Sequence, residues 1–343
     1  MLKVGLIGFG LAGQSFHGPS LRTTPGVQLA CILERSGSTA QQKYPDVRVV
    51  RTLDELLADA QIQLCVVATP NQSHFDLAKR CLEAGRHVVV DKPFAPTLAE
   101  AEELVRLAEQ HGRLLTVYHS RRFDGDFQTV IKLVDSGVLG ELSEYEVRYD
   151  RFRPTPKPNV WRERDEPGSG VMFDLAPHLI DQPMLLFGEP LSVTATAFRQ
   201  RPGIVVDDAF DISLEYPRHR AMLRARMLAY APGPHFVIHG SKGSFIKYGM
   251  DPQEEFLRRG EEPHGDDWGL EAESQWGTLS LADGSATRKI PTKRGDYRRF
   301  YAGMRDAILE GAELPVTTKQ SLASMRVLSL AQQSSKERRT IPW

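Results

Sequence analysis

Cysteine, long apolar runs and charge of one sign are all scarce in this chain, and each shortage closes a class of function. Only three cysteines occur, Cys31, Cys65 and Cys81. Their number is odd and their spacing fits no metal-ligand pattern, which excludes a disulfide framework or a zinc module and suits small buried residues in a reduced compartment. The ten histidines add no two-ligand spacing, so no metal is expected. No apolar stretch approaches the ~20 residues that a membrane helix needs. The N-terminus shows neither a basic leader nor a cleavage site, and the expectation is a cytoplasmic chain. Formal net charge is −1 with no block of like charges, so neither nucleic acid nor an anionic membrane is an expected partner. The remaining option is an ordinary globular protein of 343 residues, which at ~100–200 residues per domain points to two domains.

The first 120 residues alternate in kind. Short apolar runs at 3–8, 27–33, 62–69, 87–90 and 114–118 are separated by helical patterns. Two of those helices open on capping boxes, "TLDE" (52–55) and "TLAE" (97–100). Strands apolar on both faces, interleaved with helices, predict an α/β domain with a parallel sheet covered on both sides. Beyond 120 the texture changes. "LSEYEVRYDRF" (142–152) alternates strictly, with Tyr145, Val147 and Tyr149 on one face and Glu144, Glu146, Arg148 and Asp150 on the other. That is a strand with one wet face. Hairpins are expected around "PRHR" (217–220) and within "HGSKGSFIKYG" (239–249), and helices at 124–136, 173–187, 296–310 and 318–335. The division is therefore an N-terminal Rossmann-type domain, 1–120, and an α+β domain with a large, mostly antiparallel open sheet, 121–343. The Pro-rich run 153–159 reads as an ordered loop.

Chemistry concentrates at the ends of the N-terminal strands. "GFGLAG" (8–13) follows a strand and precedes a helix. Gly8 permits the turn, Gly10 lets a pyrophosphate approach the backbone, and Gly13 lets helix pack on strand. Gly8, Phe9, Gly10, Leu11, Ala12 and Gly13 are expected cofactor contacts. At the end of the second strand Glu34 is spaced to accept from an adenosine ribose, which favours NAD, while Arg35 and Ser36 suit the 2′-phosphate of NADP. Both cofactors stay open. "ATPNQSH" (68–74) ends the third apolar run, placing Thr69, Pro70, Asn71 and His74 at the crevice where such sheets bind ligands. Asn71 or Ser73 as a helix N-cap, and His74 as a plain surface residue, are the alternatives. "HVVVDKP" (87–93) then holds Lys92 on the same rim between Asp91 and Pro93, where it can exchange a proton with a reacting hydroxyl. In "DLAPHLID" (174–181) Asp174 and His178 share one helical face if the helix begins near 174, with Pro177 in its first turn. Such a pair can orient and deprotonate an alcohol. Tyr118, Arg151 and Trp161 are the candidate substrate contacts.

Together "GFGLAG", "ATPN", "DKP" and "DLAPHLID" resemble the signatures of the Gfo/Idh/MocA oxidoreductases, the glucose-fructose oxidoreductase and inositol dehydrogenase family, over essentially the whole chain. "SFHGP" (15–19), "YHSRRFDGDF" (118–127), "WRE" (161–163), "HGSKGSFIKYG" and "LPVT" (314–317) resemble its NADP-dependent scyllo-inositol dehydrogenase subgroup. The resemblance implies an NAD(P)-dependent dehydrogenase acting on a polyol or sugar hydroxyl. Lys92 would be the catalytic lysine near the nicotinamide, ahead of a cis proline. Asp174 would orient substrate, His178 would be the acid/base, and Trp161 and Arg162 would lie near cofactor or pocket. It also implies a homodimer or homotetramer formed through the C-terminal sheet. Asp91 stands where Glu is commoner, Ala176 where glycine is usual, and Ser120 where the subgroup has asparagine. A hydrolase that uses tightly held NAD to cleave glycosides, and a non-catalytic nucleotide-binding regulator, are the rival readings of the same fold.

Overall fold

The computed structural model describes residues 1–157, 160–166 and 168–343. Of the Pro-rich run 153–159, Pro158 and Asn159 lie outside the described residues. The chain forms two compact units, and the first comprises Met1–Phe123, Pro252–Trp268 and Asp296–Leu322. Among its described residues are six strands: β1 (Leu2–Ile7), β2 (Val27–Leu33), β3 (Arg48–Val50), β4 (Leu64–Val67), β5 (His87–Val90) and β6 (Leu115–Val117). All pair in parallel, in the order β3-β2-β1-β4-β5-β6. Val66, Val67, Val88, Val89 and Val90 are wholly buried, as strands covered on both faces must be. The strand order reverses between β1 and β4. That reversal leaves a crevice at the carboxyl ends of the strands, where doubly wound sheets bind nucleotides.

Both capping boxes form. Thr52 and Thr97 accept the Glu55 and Glu100 N–H groups at 3.2 Å, opening helices Leu53–Leu57 and Leu98–Gln110. The helix expected after "GFGLAG" is less regular. It opens at Leu11, runs as a π-helical turn over Gly13–His17 and continues as the α-helix Gly18–Thr23. Single π turns are common where a side chain must be re-aimed, and here the turn carries His17 fully inward.

The second unit comprises Asp124–Asp251, Gly269–Gly295 and Ala323–Trp343. Its described residues include nine strands: β7 (Leu142–Asp150), β8 (Ser192–Phe198), β9 (Ala209–Glu215), β10 (Arg220–Arg226), β11 (Phe236–Gly240), β12 (Gly243–Lys247), β13 (Gly277–Leu281), β14 (Arg288–Ile290) and β15 (Ile341–Pro342). They lie in the order β14-β13-β12-β11-β7-β10-β9-β8-β15. Only β7 and β10 pair in parallel, so the sheet is mixed but mostly antiparallel. The β9–β10 and β11–β12 hairpins turn at the two stretches whose composition predicted them. Tyr145, Val147 and Tyr149 are buried on the face that helix Val171–Phe187 packs against. The segments 252–268 and 296–322 fold with the first unit although they follow the second in sequence. Among the described residues no helix is long and apolar enough to cross a membrane.

Gly8 is the position where the first sheet tolerates no side chain. Its φ is +98°, and an added Cβ would lie 2.7 Å from the Ala68 carbonyl oxygen at the end of β4. Gly8→Ala should lower unfolding free energy by roughly 1–3 kcal/mol. Urea unfolding of the cofactor-free protein measures this; an unchanged midpoint would contradict the packing described.

Candidate functional site

In the first unit the strand ends assemble a backbone-lined rim. Above Gly10 the space is open, since an added Cβ would meet nothing within 4 Å. Leu11 is exposed, whereas the Phe9 ring is buried against Tyr44, so only the Phe9 backbone is available to a ligand. At the end of β2 the Glu34 carboxylate turns inward. It accepts from the Thr39 and Ala40 N–H groups at 3.2 and 3.3 Å and is 8% exposed. The expected ribose contact is therefore used to hold the adjoining loop. Arg35, Ser36, Gly37 and Ser38 are the residues this loop exposes. An open glycine turn at the strand reversal, with exposed donors at the end of β2, fits a dinucleotide.

Thr69 and Pro70 leave β4 beside Gly8. Ser73 does not cap the helix it precedes, because its hydroxyl is engaged by Thr69 Oγ1 (2.7 Å) and the Pro70 carbonyl (2.8 Å). Asn71 is buried at the same turn. His74, expected at the crevice surface, is 0% exposed. Its ring nitrogens lie 2.8 Å from the Pro93 carbonyl and 2.9 Å from the Thr69 carbonyl, so it links the loops after β4 and β5 and offers a cofactor nothing. Burial lowers the basicity of this imidazole, with Asp91 and the two carbonyls acting against it.

Asp91 and Lys92 follow β5, and the Lys92–Pro93 peptide is cis. Asp91 Oδ1 accepts the Lys92 N–H at 2.9 Å. Burial raises the Asp91 carboxyl, but His17, then Lys92 and His74, outweigh it and bring the group down to about 2. Tyr118, expected to touch substrate, is buried at the end of β6. Its ring lies 4.3 Å from that of His17 and 5.6 Å from that of Tyr301, so it serves packing.

In the second unit the helix carrying Asp174 and His178 starts at Val171, earlier than Pro177 suggested, and Pro177 lies in its interior. Asp207 sets the start: its carboxylate accepts the Met172 N–H at 2.7 Å and its carbonyl the Val171 N–H at 2.9 Å. Gly170, φ +90°, leaves room for that carboxylate, which an added Cβ would meet at 2.2 Å. Asp174 and His178 still share a face. Within Val171–Ile180 they alone are not fully buried. Asp174 is paired with Arg162 at 3.1 Å and approached by Arg151 at 3.8 Å. Arg162 also lies over the Trp161 ring at 4.7 Å. Thus Arg151, Trp161, Arg162 and Asp174 are neighbours. Ala176 is wholly buried. Buried Arg201 fixes the "WRE" turn by pairing with Glu163 (3.0 Å) and Asp208 (2.9 Å). Sequence patterns gave Arg201, Asp207 and His17 no role, because each acts on a residue far away in the chain.

Comparison with known proteins bears directly on this arrangement. The model of an oxidoreductase family's NAD-binding Rossmann fold matches residues 2–119, and that of the same family's C-terminal alpha/beta domain matches 131–343. The chain belongs to the Gfo/Idh/MocA oxidoreductase family. It is 44% identical to the Escherichia coli oxidoreductase YdgJ over 342 residues, covering 99% of this chain and 98% of that one. Against Bacillus subtilis IolW, named a scyllo-inositol 2-dehydrogenase (NADP(+)), identity is 40% over 99% of this chain and 95% of the relative. A solved structure of Bacillus subtilis YvaA superimposes with a TM-score of 0.94 at 39% identity, covering 100% of this chain and 98% of the other. This Gfo/Idh/MocA chain is thus an oxidoreductase with an NAD(P)-binding domain.

Burial, opposed by backbone hydrogen bonds, raises the Asp207 carboxyl to about 6. Folded Asp207 therefore binds a proton more tightly than unfolded Asp207, and its contribution to stability falls as pH rises from about 4 to 6. Asp207→Asn keeps an acceptor for Met172 without the charge. It should raise Tm at pH 7.5 and flatten the dependence of Tm on pH between 4 and 6. A lower Tm at pH 7.5 together with an unchanged pH dependence would contradict this role.

Proposed function

We propose that the protein oxidises a ring hydroxyl of an inositol-like polyol to the ketone, reversibly, with NADP. The observation carrying the reading is the carboxylate–imidazole pair of Asp174 and His178, the solvent-reaching residues of their helix start, in a chain that also carries Lys92 in the loop directly after β5. Oxidation breaks one C–H and one O–H bond and forms a C=O bond. Bound nicotinamide supplies the hydride acceptor. His178 takes the hydroxyl proton, Asp174 with Arg162 and Arg151 orients neighbouring hydroxyls, and the Lys92 ammonium stabilises the developing alkoxide. Trp161 supplies an apolar face for the C–H side of a polyol ring.

NADP is preferred in this reading for two reasons. Glu34 is turned away from a ribose, and Arg35, Ser36 and Ser38 are exposed where a 2′-phosphate would lie. The IolW name supports the same cofactor and substrate class. Pairing of subunits is assigned to the wet face of the second sheet, where Glu146, Asp211, Arg224 and Arg226 form an ion-pair network. Light scattering on the purified chain tests that assignment, and a monomer at working concentration would remove it.

Reduced nicotinamide followed by absorbance across inositols and sugars tests the chemistry. A signal with one polyol should fall ~10²–10⁴-fold in Lys92→Ala. Arg35→Ala should weaken NADP binding ~10–100-fold and leave NAD binding unchanged. Full turnover in Lys92→Ala would remove the lysine from the mechanism. Silence across the panel with cofactor bound would overturn the substrate class.

A further inference from the structure

"SFHGP" has no part in the chemistry above, yet its histidine lies directly behind the catalytic loop. His17 is 0% exposed. Its Nδ1 lies 2.5 Å from the Tyr301 hydroxyl. Its Nε2 makes no hydrogen bond among the described residues and stands 3.9 Å from Asp91 Oδ1. That same oxygen accepts the Lys92 backbone N–H. The Tyr118 ring covers one side of the imidazole and stacks on Tyr301.

Two of these neighbours fix the ring's proton. An ionised carboxylate only accepts, so the nitrogen facing Asp91 must be the one that carries hydrogen. Nδ1 is then a lone pair, and the hydroxyl beside it must donate. Burial holds the Tyr301 phenol well above its ordinary pKa, so it retains that proton. A buried N–H pointing at a carboxylate acts at low local dielectric, where the attraction persists beyond hydrogen-bond length.

We propose that Tyr301, His17 and Asp91 form a positioning chain in which the tyrosine hydroxyl sets the histidine tautomer, the histidine holds the carboxylate, and the carboxylate fixes the backbone entering Lys92. The role of the chain rests on the reading of Lys92 as the catalytic lysine. Asp91, one methylene shorter than the commoner glutamate, is in this arrangement drawn inward to the protein. The charged and titratable groups facing it are His17 from the π turn, its neighbour Lys92, His74 from the helix after β4 and Tyr301 from helix Arg298–Glu310, with Tyr118 from the end of β6 set against His17 and Tyr301.

The chain of contacts is tested without any substrate. Full-length protein with ¹⁵N-labelled histidine, observed by NMR at pH 8, should show His17 protonated at Nε2 and bare at Nδ1. The signal is assigned by its loss in His17→Gln, and Tyr301→Phe should move the Nδ1 resonance. A proton on Nδ1 would overturn the proposal. Its consequence is read with the polyol found active and NADP. Tyr301→Phe keeps the ring packing and should lower kcat about 10–100-fold with KM changed less than about threefold. His17→Leu should lower kcat further, and His17→Gln, which retains an N–H donor, should recover part of the loss. Unchanged kcat in both Tyr301→Phe and His17→Leu would overturn the positioning role. Absence of turnover in the unmutated protein would instead count against the polyol reading, while the NMR result still decides the chain itself.

Discussion

Two adjacent parallel strands end side by side, and one buried imidazole ties together the loops that leave them. His74 places one ring nitrogen at the Thr69 carbonyl and the other at the Pro93 carbonyl. Neither carbonyl has a ladder partner there, because β4 and β5 have already ended at Val67 and Val90. Buried backbone acceptors need partners; the ring's N–H serves one of these two carbonyls in the neutral form and both when the imidazole is protonated. Thr69 packs against Gly8, and Pro93 comes directly after Asp91 and Lys92. The glycine turn, the "ATPN" turn and the lysine loop are thereby held in one arrangement.

Around that frame, acidic side chains take roles set by burial and partners. Glu34 spends its carboxylate on two backbone N–H groups and leaves basic and hydroxyl residues at the surface of its loop. Asp91 is held ionised by histidines and a lysine, whereas Asp207, buried at a helix start among backbone donors, is pushed toward the neutral form. Asp174 is matched to arginines. One chemical group performs four tasks, and its surroundings choose among them.

Much of this was legible in the sequence because the cause was local. A glycine turn after an apolar run, threonine–glutamate capping boxes, strict alternation in "LSEYEVRYDRF" and glycines at a hairpin all act within a few residues of themselves. The fold class and the placement of Asp174 and His178 on one helical face follow from such patterns. What escaped was set by distant partners. The helix of Asp174 begins at Val171 because Asp207 accepts from it. His74 is buried because Pro93 and Thr69 need it, and Tyr118 turns into the core because His17 and Tyr301 surround it. Likewise β3, with the pattern Arg-Val-Val, and the helix Thr39–Lys43 are too short to show a period. Segments 252–268 and 296–322 return to the first unit with no marker in composition.

The central claim is that a carbon-bound hydrogen of a polyol leaves as hydride while protein groups take the hydroxyl proton. Mass spectrometry of the nicotinamide product, formed from a polyol deuterated at its ring carbons, tests this most directly. The account predicts one deuterium per reduced cofactor, derived from carbon and absent when the label is instead supplied by deuterated water. Reduced cofactor labelled from solvent, or label retained wholly in the polyol with no reduced cofactor released, would contradict it.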